Sequence, residues 1–115
     1  MKNEQLQKLI GELKKASIDN KVKIWKRIAT DLEKSTRRRR VVNLFRINLY
    51  SKEGETVVVP GKVLGSGDLN KKLVIAAFDA SEQAAEKIRS SGSTLLSLKE
   101  LIQKNPKGSK VRIIG

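Results

Sequence analysis

A chain of 115 residues with 25 Lys and Arg against 12 Asp and Glu carries a formal charge of +13, which suits one domain whose partner is a polyanion, either nucleic acid or an anionic membrane surface. It contains no cysteine and no histidine, so disulfides, thiol nucleophiles, imidazole acid–base chemistry and Cys/His zinc sites are excluded. The start, MKNEQLQKLIGEL, is polar and periodic, unlike a signal peptide, and no apolar run approaches the roughly 18 residues of a membrane span; the expectation is a soluble, intracellular protein. Its carboxylates are scattered, mostly at helix starts or one turn from a lysine, where capping and helix pairing account for them. The chain is therefore read as a non-enzyme with no cofactor, no metal and no small-molecule substrate.

Residues 4–17 place Leu6, Leu9, Ile10 and Leu13 at helical spacing, which predicts an amphipathic helix. SIDN at 17–20 reads as a turn or N-cap cluster, after which Val22, Trp25, Ile28, Ala29 and Leu32 repeat the spacing to about Lys34. The two helices should form a hairpin over residues 1–36, exposing Lys14, Lys15, Lys21, Lys23, Lys26 and Arg27. Trp25 could stack on a base, but its place on the apolar stripe assigns it to the core, as with Phe45 and Phe78.

A basic connector, 37–42, opens with four consecutive arginines, Arg37 to Arg40. They cannot all turn inward, and their mutual repulsion calls for an anion opposite. Arginine presents a planar fork of donors that suits phosphate. A solvated linker and a polybasic lipid anchor are the alternatives, and the absence of a lipidation motif favours nucleic acid.

VVNLFRINLY at 41–50 is ambiguous. Its β-branched residues suit a strand, yet Val41, Leu44, Phe45 and Leu49 share one helical face, and a short helix is the preferred reading. TVVVP at 56–60 reads as a strand that Pro60 ends or bends, with a second short strand, KVL, after Gly61. GSGDLNKK at 65–72 is followed by LVIAAF, a buried strand. Asp79 with Glu82 makes a capping box for the next helix, with Ser81 as the alternative cap and Gly92 as the stop. TLL returns as a strand, giving a strand–helix–strand unit that should be parallel. Ser97 and Glu100 cap a short helix that Asn105-Pro106 ends; KGSK is a basic turn, and Val111, Ile113 and Ile114 form a last strand with Arg112 on its opposite face.

GKVLGSGDLNKK is not a phosphate loop. Gly61, Gly65 and Gly67 precede a strand, not the helix that the Walker spacing requires. Lys62, Ser66, Lys71 and Lys72 around these glycines remain candidates for contact with a polynucleotide, as do Lys107, Lys110 and Arg112 near the end of the chain. Residues 1–40 are net +8, residues 41–80 net +1 and residues 81–115 net +4, so the charge lies at the helical end and, more weakly, at the C-terminal end. With 3% aromatic residues the chain should recognise backbone charge and shape and not stack bases.

VNLFRINLYSKEGETVVVPGKVLGSGDLNKKLVIAAF, AEKI at 85–88 and the closing NPKGSKVRIIG together resemble the eighteen-e family of large-subunit ribosomal proteins over essentially the whole chain. KVLGSGDL and KKLVIAAF also resemble the C-terminal part of the L-fifteen ribosomal family. The resemblance implies an α/β fold in which an N-terminal helical hairpin precedes an irregular strand–strand–helix winding over 43–115, with a helix near 43–50. It further implies a structural protein of the large ribosomal subunit, cytoplasmic, bound to large-subunit rRNA beside neighbours of the L-four and L-fifteen families. Phe45 departs from the family pattern, where a polar residue is expected after VNL. The competing reading is a DNA-binding protein, chromatin-like or using the hairpin as a helix-turn-helix, although WKR at the second helix's start is no base-reading set.

Overall fold

The structure is a computed structural model that describes residues 4–34 and 40–115. Helix α1 (Glu4–Asn20) buries Leu6, Ile10, Leu13 and Ala16, and α2 (Ile24–Glu33) buries Trp25, Ile28, Ala29 and Leu32. Both patterns are the 3.6-residue stripe of the sequence, and the two helices pack on each other as a hairpin. SIDN is the last turn of α1 and not a cap for α2. The Asn20 side-chain amide donates back to the Ala16 carbonyl at 2.9 Å, and the Ser17 hydroxyl donates across the turn to the Val22 carbonyl. The N-cap of α2 is consequently Lys23, whose side chain makes no capping bond.

The ambiguous 41–50 segment divides. Strand β1 (Arg40–Asn43) gives way directly to α3 (Leu44–Tyr50). Because the helix starts only at Leu44, the shared face expected for Val41, Leu44, Phe45 and Leu49 does not form. Val42, Leu44 and Ile47 point inward, whereas Phe45 is 65% and Leu49 59% exposed. The core assignment of Phe45 is thus corrected by the phase of α3, while Trp25 is fully buried and Phe78 packs against the core.

Strand β2 (Thr56–Leu64) is continuous through Pro60-Gly61, where a break followed by a second strand was expected. The proline, which has no N–H to donate, sits where the register to β3 (Val74–Ala80) slips between Val59 and Lys62. After β3 come α4 (Glu82–Ser90), β4 (Thr94–Ser97), α5 (Leu98–Lys104) and β5 (Val111–Ile113). Ser81 is the cap of α4, accepting from the Ala84 N–H at 3.1 Å; the Asp79 carboxylate instead accepts from the Ala80 N–H. The Ser97–Glu100 capping box of α5 is formed in both directions.

All pairings are parallel, in the order β1-β2-β3-β4. The edge of β2 away from β3 is shared end to end, β5 beside Thr56–Val58 and β1 beside Gly61–Leu64. Helices cover both faces, which is why TVVV and VIAA are continuous apolar runs. Val58, Ala76 and Leu96 pack with α1, α2 and α5. Val57, Val59, Ile75 and Ala77 pack with α3 and α4.

Candidate nucleic-acid interface

The glycine loop after β2 turns its carbonyls, not its amides, toward a cation. Lys87 on α4 donates its ammonium to the Gly65 and Gly67 carbonyls, each at 2.8 Å, with Asp68 3.8 Å away. The Ser66 carbonyl between them accepts from the Phe45 N–H at 3.0 Å. A phosphate cradle needs the opposite polarity, with amides converging on the anion. Gly67 has φ +92°, and a Cβ there would lie 2.6 Å from the Phe45 Cβ and 2.7 Å from its backbone nitrogen. Glycine is therefore required both for conformation and for the close approach of α3.

Lys71 serves the other end of α3. Its half-buried ammonium donates to the Asn48 and Ser51 carbonyls, both at 2.5 Å. It thereby satisfies backbone acceptors that the end of a helix leaves open, and places a cation where the helix dipole favours one.

The remaining candidates differ in how free they are. Arg112 forks onto Glu55, with Nε 3.1 Å from Oε1 and an Nη 3.0 Å from Oε2. The Arg112 hydrogen bonds, helped by the Lys52 N–H, hold the Glu55 carboxyl below its ordinary pKa. Lys62 stands 3.9 Å from Asp79, a looser and exposed pair of little energetic weight. The Lys72, Lys107 and Lys110 side chains are exposed and have no acid or carbonyl partner among the described residues, and Ser66 is exposed at the tip of its loop. Arg37, Arg38 and Arg39 lie outside the described residues, and Arg40 enters β1 opposite Gly61 through its backbone.

Three cations outside the candidate set share a surface with that set's last members. The exposed face of α2 presents Lys23, Lys26, Arg27 and Thr30, without the Asn or Gln of a base-reading helix. The 105–110 turn packs on the start of α2: the Trp25 indole N–H donates to the Pro106 carbonyl at 2.7 Å. A Cβ at Gly108 would meet Ile24 at 2.5 Å. The indole bond spans 81 positions of sequence, and no local pattern announces it. Among the described residues no group of His, Cys, Asp or Glu could hold a metal ion, and no helix is long and apolar enough to cross a membrane.

Residues 3–96 match the family model that groups the 50S ribosomal proteins L15 and L18e with their 60S counterpart. The chain belongs to this ribosomal L15/L18e family. It is 50% identical to the Large ribosomal subunit protein eL18 of Methanosphaerula palustris, over 97% of this chain and 93% of that protein. It is 45% identical to the proteins of the same name from Pyrobaculum aerophilum and Archaeoglobus fulgidus, over 97% of this chain and 92% and 96% of theirs. The L15/L18e membership accords with the α/β fold, in which a helical hairpin precedes the parallel sheet. The family is one of ribosomal structural proteins and not of enzymes.

Proposed function

We propose that the chain is a structural constituent of the large ribosomal subunit in the cytoplasm, where it binds and stabilises large-subunit rRNA through basic surface segments. The observation that carries this reading is similarity along almost the whole length of both partners to Large ribosomal subunit proteins eL18. The +13 charge supports it independently. Positive side chains lower the repulsion between RNA segments that must pack together, and binding releases condensed counterions.

Arg37 to Arg40, Lys72, Lys107 and Lys110 are the foremost candidate phosphate contacts, with Ser66 beside them as a hydroxyl donor. Lys62 and Arg112 would exchange Asp79 and Glu55 for phosphate. Lys71 would contribute by holding α3, not by touching RNA. The exposed side chains of Val41, Phe45 and Leu49 suit a protein neighbour, in keeping with expected partners of the L-four and L-fifteen families.

The test is a salt titration of wild type and an Arg37 to Arg40 quadruple alanine variant against large-subunit rRNA and a duplex DNA of matched charge. The reading expects preference for rRNA and a loss of about three units in the slope of log affinity against log salt. Equal binding to DNA with an unchanged slope would overturn it.

A further inference from the structure

Lys23, Lys26, Arg27, Lys107 and Lys110 come from segments far apart in the chain, yet the Trp25–Pro106 bond and the contact of Gly108 with Ile24 bring them to one end of the molecule. None of them has a carboxylate partner among the described residues; the one acid on this face of α2, Asp31, pairs with Lys34 at 3.2 Å. Between α2 and β5 lies an open groove of about 520 Å³ lined by Lys23, Ile24, Arg27, Val111 and Ile113. A second depression, of about 400 Å³, adjoins it, so that Lys23 and Arg27 stand on the ridge between the two and Lys26 on the far side.

Three features of this surface are locally unfavourable. A lysine occupies the N-cap of α2, where Ser, Asp or Asn is preferred and the helix dipole disfavours a cation. Lys110 is held at φ +56°, which a side chain bearing a Cβ adopts reluctantly. Several cations crowd together without acids between them. Where local rules are broken together without compensation from the fold, function is the physical reason to look for. The turn is nevertheless rigid: the Asn105 side chain donates to the Ser109 carbonyl at 3.0 Å and accepts from the Ser109 N–H at 3.2 Å. The cations are thus held ready, beside an apolar floor of Ile24, Val111 and Ile113 that focuses their field.

We propose that α2 and the 105–110 turn form one composite site for the phosphodiester backbone of helical RNA. This rests on the rRNA-binding reading and adds a second contact region to the arginine segment. The chemistry selects backbone over bases. Trp25, the largest ring of this region, is buried and occupied by Pro106, so the surface has no stacking face. Lys23 and Arg27, one helical turn apart, are separated by about 6 Å along the axis, comparable to the interval between successive phosphates of a strand.

The full chain is tested by titrating large-subunit rRNA across a salt series. The variants are Lys23→Gln with Arg27→Gln, Lys107→Gln with Lys110→Gln, all four together, and Lys8→Gln with Lys15→Gln as a control on the exposed face of α1. Each groove pair should lower the salt slope by about one to two units, the fourfold variant by about three, and the control pair by well under one. In parallel, a hydroxyl-radical cleaving reagent tethered at Lys26→Cys and at Lys107→Cys should cut the same RNA segment. Slopes that fall no further than in the control, or cuts in unrelated segments, would overturn the composite site while leaving the rRNA reading intact. Absence of any rRNA preference in the wild type would overturn the functional reading and the site with it.

Discussion

At the junction of α3 with the 65–72 loop the chain's own carbonyls occupy the lysines, Lys71 by Asn48 and Ser51 and Lys87 by Gly65 and Gly67. Around α2 and the 105–110 turn, Lys23, Lys26, Lys107 and Lys110 meet no such acceptor among the described residues. The difference comes from backbone geometry and not from residue type. A loop whose carbonyls point inward, or a helix end whose acceptors are open, captures the nearest ammonium. A turn whose polar groups are already bonded to one another, as Asn105 with Ser109, leaves its lysines to solvent or to a partner. A lysine in a basic protein therefore becomes a phosphate contact only when its own fold offers it nothing better.

The largest effect that would sharpen this contrast is Gly67→Ala. The added Cβ meets Phe45 backbone at a position whose φ is +92°, so neither the side chain nor α3 can step aside without breaking the Phe45–Ser66 hydrogen bond. We expect a loss of about 3 kcal/mol in urea unfolding, from left-handed strain and steric clash together. A loss under about 1 kcal/mol would show that the loop and α3 are not locked together.

Smaller, and more diagnostic, are Lys71→Met and Lys87→Met. Each keeps the aliphatic stem and removes an ammonium from two carbonyls, which should cost about 2 kcal/mol of stability, with the salt slope of rRNA binding unchanged. Lys107→Met should do the reverse, with stability within about 0.5 kcal/mol of wild type and the slope reduced. If Lys71→Met or Lys87→Met reduced the slope at unchanged stability, the division between the two regions would fail.

Much of the fold was legible because its signals are local. The stripes of α1 and α2, the doubly buried runs of β2 and β3, and the Ser97–Glu100 box each declare themselves within about ten residues. What was misread depended on phase or on distance. Nothing in VVNLFRINLY says that the helix begins at Leu44, and that single boundary sends Phe45 outward and Ile47 inward. Likewise Lys71, Lys87 and Arg112 look alike as isolated cations. Their acceptors lie 20 to 57 positions away, so the sequence could place them in loops and strands but could not show that they were already engaged. The composite surface is the converse case: its two halves were each visible as charge, and only the Trp25–Pro106 contact makes them one.

The smallest effect concerns the acceptor side of the Lys71 clamp. Ser51 is 3% exposed, and its hydroxyl oxygen is buried without a hydrogen-bond partner, although its carbonyl receives Lys71. The clamp thus runs through the backbone, and the hydroxyl carries a desolvation cost that nothing offsets. Ser51→Ala should remove that cost and leave both carbonyl bonds in place, raising stability by up to about 1 kcal/mol. Combined with Lys71→Met in a double-mutant cycle, the two changes should be additive within about 0.5 kcal/mol. Destabilisation by Ser51→Ala, or coupling above that limit, would show that the hydroxyl is part of the clamp, and that the α3 junction uses a side chain as well as carbonyls to hold its lysine.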